Sequence, residues 1–323
     1  MERRKFLKNL TLGALAGGIA TKLPTALASA NVSPESMPGP ADLVAVKGGE
    51  PAQMFDKAME AMGGLQKFVK KGQKVVVKPN IGWDVPPERA ANTHPGLIGH
   101  IVKRCFEAGA AEVFVFDNTC DNWLRCYSTS GIEEAVKKAG GKLVPGNDEK
   151  YYKPVSVKGK VLKNTSVHEL ILNCDVFINV PVLKHHSSAD VSIAMKNLMG
   201  IVWDRRWWHR NNLHQCIADF AGFRKPDLNV VDAYRVMMKN GPRGVSEADV
   251  KVMKSLIVST DIVAADAAAS KLLGNDPAQI GHIRLAHEMK LGTMDLSSEI
   301  CAFPLLNNSG LTDSLYLNFN LAL

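Results

Sequence analysis

Continuous apolar runs, each followed by a stretch with helical spacing, constrain this chain more than any other feature. "KVVVKPN" (74–80), "EVFVFDN" (112–118), "DVFINVPVL" (175–183) and "SLIVST" (255–260) are too short for buried helices and lack the alternation of half-exposed strands. Such runs belong to strands covered on both faces, the condition of a parallel sheet. Between them lie helical patterns. "PGLIGHIVKRCFEAG" (95–109) has proline in its first turn and a glycine stop, and "GIEEAVKKAGG" (131–141) and "DIVAADAAASKLLG" (261–274) repeat the theme. The alternation predicts an α/β fold: a mostly parallel sheet with helices on both faces, a Rossmann-like three-layer arrangement. Residues 151–165 alternate with period two around Gly159 and predict a β-hairpin excursion, and the tail "SLYLNFNLAL" reads as a final half-exposed strand.

In an open parallel sheet, ligands bind beyond the carboxyl ends of the strands. Three runs end there in polar clusters: Lys78-Pro79-Asn80, Asp117-Asn118-Thr119-Cys120, and Lys184-His185-His186. The segment "NTHPG" adds Thr93 and His94 ahead of a helix N-terminus, a place suited to anions. Adjacent residues at a strand end point to opposite sides, so His185 and His186 are not expected to serve one metal unless the chain turns there. Lys196-Asn197 is harder to place. On an unbroken helix over 188–200 the pair stands about 18 Å from residue 184, so a shared site requires the chain to fold back. The cation-and-aromatic segment "WDRRWWHRNNLH" (203–214) is no ordinary core helix. It is read as a lid whose Arg205 and Arg206 clamp an anionic ligand, the other reading being a partner- or membrane-contacting patch.

The first thirty residues stand apart. Arg3-Arg4, a weakly apolar stretch and the small-residue end Ala28-Ser29-Ala30 form a secretory signal of the twin-arginine type. They predict export by the Tat machinery, cleavage after Ala30 and a periplasmic location. Residues 31–40 are a linker, and 41–323 form a single α/β domain with room for two lobes. Five of the 39 basic and one of the 32 acidic side chains lie within residues 1–30. The remainder therefore holds 34 against 31, too even for a nucleic-acid footprint. No segment is long and apolar enough to span a bilayer. Among the six cysteines no CxxC occurs, which argues against an ordinary cluster or zinc ribbon. Cys120 and Cys126 share a polar, loop-like segment and are read either as a disulfide or, with His186, as metal ligands.

The segments "VVVKPNIGW", "NTHPGLI", "VFDNTC", "CYSTSGI", "INVPVLKHH", "MKNLMG", "LHQCIADF" and "STDIVAADAAA" together resemble the DUF362 family, in its twin-arginine-exported branch. The resemblance implies no specific activity, since the family's name records an unknown function. Other members carry ferredoxin-like iron–sulfur segments, which implies redox work and a redox partner protein, but this sequence has no such segment. Ile262 stands where the family often has proline.

Two functions remain open. One is a metal- or cofactor-dependent enzyme, oxidoreductase-like, acting on a small anionic ligand. Lys184, His185, His94 and Asp117 would be catalytic, and Lys78, Asn80, Thr93, Lys196, Asn197, Arg205 and Arg206 would bind the ligand. The cofactor would be a metal ion or an iron–sulfur cluster. NAD is not expected without a GxGxxG fingerprint. The other is a non-catalytic periplasmic binding or maturation factor using the same residues, favoured by the lack of GxSxG, HExxH or P-loop motifs.

Overall fold

The computed structural model describes residues 42–297 and the strand segments 301–306 and 312–315. The expected leader, the linker and most of the alternating tail lie outside the described residues. In chain order the elements are β1 (Leu43–Lys47), α1 (Pro51–Ala61), β2 (Lys74–Pro79), α2 (Pro95–Glu107), β3 (Glu112–Val115), α3 (Trp123–Thr129), α4 (Ile132–Lys138) and β4 (Lys142–Leu143). Next come β5 (Tyr152–Ser156), β6 (Asn164–His168), α5 (Glu169–Asn173), β7 (Val176–Val180), β8 (Val182–His186), β9 (Asp190–Ser192), α6 (Ala194–Asn197), α7 (Arg205–Arg210) and α8 (Leu213–Ala221). The last are β10 (Leu228–Met237), β11 (Val250–Ser259), α9 (Ile262–Leu272), α10 (Gly281–Glu288), β12 (Cys301–Leu306) and β13 (Thr312–Leu315).

One large sheet runs in the order β13-β12-β1-β11-β10-β7-β2-β3-β4. From β10 to β4 every pairing is parallel, whereas β11 pairs antiparallel with both β10 and β1. The expected class is thus found, mostly parallel with an antiparallel flank. That flank follows from the chain itself: only a short connection with one 3-10 turn, and no α-helix, separates β10 from β11, so no crossover makes them parallel.

The central strands β2, β7 and β10 are buried on both faces. Val75, Val77, Val113, Val115, Val176 and Ile178 pack against α1, α2 and α4, while Val76, Phe116, Phe177, Val231 and Ile257 face the layer of α6 to α10. Two cores separated by one sheet make the three layers. Helix α2 shows how local sequence sets its limits. His94 caps it, Pro95 opens it, and Gly109 follows at φ 104°, where an added Cβ would press on the Lys71 backbone. The hairpin excursion is present as β5 and β6, paired from Tyr152↔His168 to Ser156↔Asn164.

The run "DVFINVPVL" is two strands rather than one. β7 stays with β2 and β10, whereas β8 leaves β2 behind and continues on β10 and β9. The break falls at Pro181, which has no N–H for the ladder.

Candidate functional site

Two local devices bring the distant polar residues together. The first is the hairpin of β8 and β9, in which Lys184 lies opposite Ser192. It reverses the chain so that short α6 starts beside the strand ends it has just left. Lys196 and Asn197 therefore return to Lys184 rather than standing a helix length away. The second is Asp266 of α9, fully buried, whose carboxylate accepts from the N–H groups of Ala194 (2.6 Å) and Met195 (3.1 Å) and so fixes the first turn of α6.

The result is a cavity of about 290 Å³ at the carboxyl ends of the parallel strands, walled by Lys78, Asn80, Asp117, Cys120, Lys184, His186, Ser192, Lys196, Asn197 and Arg205. Lys78 is buried, its Nζ 2.9 Å from Asp117 Oδ1 and donating to Asn197 Oδ1 at 2.8 Å. Asp117 Oδ2 accepts from Ile81 N at 2.7 Å. Burial pulls the Lys78 ammonium below its ordinary range, and Asp117 opposes that pull. Lys184, also buried, has no carboxylate. Its Nζ donates to Ala91 O at 2.5 Å and to Asn80 Oδ1 at 3.4 Å. Burial pushes it down to about 7. The amine of half-buried Lys196 makes no hydrogen bond or ion pair among the described residues, and desolvation, followed by the Arg205 charge, pushes it down to about 8. Arg205 forks onto the carbonyls of Asn118 and Thr119 and reaches Cys120 Sγ at 3.5 Å. His186 is buried, accepts from Ser188 N, and is pushed down to about 2 by burial and then Lys196, so it stays neutral. His209, on the exposed rim, is lowered by burial and then by the same lysine.

Behind this wall a chain of amides crosses the sheet. Asn197 Nδ2 donates to Asn179 Oδ1 at 2.9 Å, and Asn179 Nδ2 donates to Asn229 Oδ1 at 3.0 Å and to Ala194 O at 3.0 Å. Neither Asn179 nor Asn229 stood out in the sequence, although a lone amide inside an apolar run is the signal that would have found them. Gly200 closes the floor: a Cβ there would overlap Asp117 Oδ1 and Lys78 Nζ. Ser192, Trp83 and His209 are further wall residues that the sequence reading did not single out.

Other expected residues sit elsewhere. His185 lies on the opposite side of β8 from its neighbour and accepts from Gly241 N at 3.1 Å. His94 caps α2 and packs its ring edge-on to Tyr234, with centroids 5.4 Å apart. Thr93 is buried, accepting from Asn80 N and donating to Val180 O, so it orients a wall residue without joining the wall. Arg206 is exposed and outside the cavity lining, while Trp208 anchors α7 in the core against Phe220. Cys120 and Cys126 are free thiols. Cys126 is buried, and desolvation pushes its thiol up to about 12. Among the described residues no three His, Cys, Asp or Glu side chains come together to hold a metal ion. The cavity's cations would further oppose one, so the donor set does not fit a resident metal.

A doubly covered, mostly parallel sheet with a cation-walled cavity at its strand ends defines the class of this protein. The chain belongs to the DUF362 family: the family described as "Domain of unknown function (DUF362)" matches residues 75–271, which include every wall residue named above. A thylakoid-associated protein of Synechocystis is 26% identical over 256 residues, covering 76% of each chain. Among solved structures, the lactate racemase apoprotein of Thermoanaerobacterium thermosaccharolyticum matches 73% of this chain at 12% identity and a TM-score of 0.47. A Thermotoga maritima protein matches 85% at 10% identity and a TM-score of 0.37. This chain spans 57% and 58% of those two solved chains, respectively.

Proposed function

We propose that the strand-end cavity binds a small anionic ligand and that the protein is an enzyme acting on it. One observation carries the reading: Lys78, Lys184, Lys196 and Arg205 converge on the cavity with Asp117 as the carboxylate in its wall. Lys184 is buried without a carboxylate and Lys196 is half-buried without a partner among the described residues; such cations are costly to hold, and an anion entering the cavity repays that cost. Two lysines whose amines are partly neutral near pH 7 add proton-transfer capacity that charge recognition alone does not need. An anionic cofactor would be welcomed by the same cations. A non-catalytic binding or maturation role is the second reading, favoured by Lys78 and Lys184, whose amines are already engaged with protein acceptors. The Arg3-Arg4 leader pattern supports export by the twin-arginine route and work in the periplasm after cleavage behind Ala30. Replacing both arginines by lysine and fractionating the cells tests that part.

The cavity is tested by thermal unfolding in phosphate or citrate against chloride at equal ionic strength. Specific stabilisation by the multivalent anions is expected, at about 2.7 kcal/mol for a ligand at a hundred times its Kd. It should be lost in Lys196→Gln and Arg205→Gln. Equal stability in all three salts would refute the reading.

A further inference from the structure

The four cations of the cavity are not equivalent. Lys78 has Asp117 and Asn197, Lys184 has Ala91 O and Asn80, and Arg205 has two backbone carbonyls. Lys196 alone among these four has no hydrogen-bond or ion-pair partner among the described residues, yet its amine borders the same space. It is also placed most deliberately. The hairpin reverses the chain, Asp266 pins the start of α6, and Asn197 next to it is tied to Lys78 and Asn179. A lysine held for charge alone would be served better by arginine, which keeps its proton under any burial.

We infer that Lys196 is a nucleophilic amine that forms an imine with a small carboxylate bearing an aldehyde or ketone, the other cavity cations holding the carboxylate. This inference rests on the anion-binding reading and names its substrate class. The amine lone pair attacks the carbonyl carbon, a C–N bond forms, and the carbonyl oxygen takes a proton to give a carbinolamine. Protonation of that hydroxyl expels water and leaves the C=N bond, so no oxidant or reductant is required. His209 on the rim is the wall imidazole placed to accept the ammonium proton and return it to the leaving hydroxyl, whereas His186 stays neutral. Burial and the nearby Arg205 leave Lys196 with a working share of free amine, the usual activation of such lysines. At pH 7 that share is roughly 300-fold larger than for a lysine of ordinary pKa. The cavity, about 290 Å³, is at the lower limit for ligand sites and suits a compound of a few carbons.

The test is reductive trapping. The full chain is incubated with pyruvate and sodium cyanoborohydride, digested, and mapped by mass spectrometry. The expected result is a reduced pyruvate adduct at Lys196 that forms at least tenfold (~) faster than at exposed lysines such as Lys103 and Lys251. Phosphate should slow it, its rate should climb as pH rises towards 8, and Lys196→Arg should abolish it. Adduct formation at Lys196 no faster than at the exposed lysines, or concentrated at Lys184, overturns the assignment. Phosphate stabilisation of the wild-type protein is measured in parallel. Stabilisation without the adduct overturns the imine and leaves the anion site standing, whereas loss of both overturns both.

Discussion

Replacing Lys184 by methionine should make the ligand-free protein more stable at pH 7 while removing part of its response to anions. The amine is 1% exposed and pushed from 10.5 down to about 7, so the folded state binds its proton more weakly than the unfolded chain does. The sign follows from linkage. A lowered folded pKa contributes stability that is fully present above 10.5 and is lost as pH falls through about 7. A shift of that size corresponds to about 5 kcal/mol at neutral pH and below. Methionine fills similar volume and removes this cost, but it leaves Ala91 O and Asn80 Oδ1 short of a donor, a loss of about 1–3 kcal/mol. The net gain is about 2–4 kcal/mol, and each kcal/mol should raise Tm by about 2–4 °C. Urea unfolding from pH 6 to 10 at low salt is the assay. Wild-type stability should climb with pH over that range, Lys184→Met should climb less, and phosphate should flatten the wild-type curve by restoring the amine's proton. A variant that is less stable at pH 7 and runs parallel to wild type would show that Lys184 is a satisfied structural amine and would refute this reasoning.

Gly200→Ala should cost about 1–3 kcal/mol and abolish phosphate stabilisation, because its Cβ displaces the Lys78–Asp117 pair; thermal unfolding with and without phosphate reads both effects. Asp117→Ala strips a buried ammonium of its counter-charge and should cost about 3–5 kcal/mol in urea unfolding, with added phosphate recovering part of the loss. Asp266→Ala, which never touches the cavity, should leave the N–H groups of Ala194 and Met195 unpaired, cost about 1–3 kcal/mol, and weaken phosphate binding measured by calorimetry.

The parallel half of the sheet was legible because runs such as "KVVVKPN" and "EVFVFDN" allow no other fate than burial on both faces. Lys78 and Asp117 followed from it, since strand-end polar groups in parallel strands share one edge. The alternation rule split His185 from His186, and His186, two residues from Lys184, shares its side of β8 and lines the cavity. The return of Lys196 was not legible, because it depends on a three-residue strand, β9, whose pairing is decided by tertiary contact rather than propensity. The segment 203–214 was half-read. Arg205 reaches the site, but Arg206 faces solvent and Trp208 is core, a division set by which side of one short helix meets α8.

The way α6 is held argues against a purely structural role for the cations. Its attachment to the sheet runs through neutral amides, Asn197 to Asn179 to Asn229, and through Asp266 on the side away from the cavity. Among the described residues no carboxylate pairs with Lys184 or Lys196, and Gly200 lets the Lys78–Asp117 pair occupy the space a Cβ would take. Local rules broken together at one strand-end cavity are what the proposed anion site would require. On the reading proposed above, the occupant carries the missing negative charge, because it is the component that would turn the cavity's surplus of cations from a cost into a set of bonds.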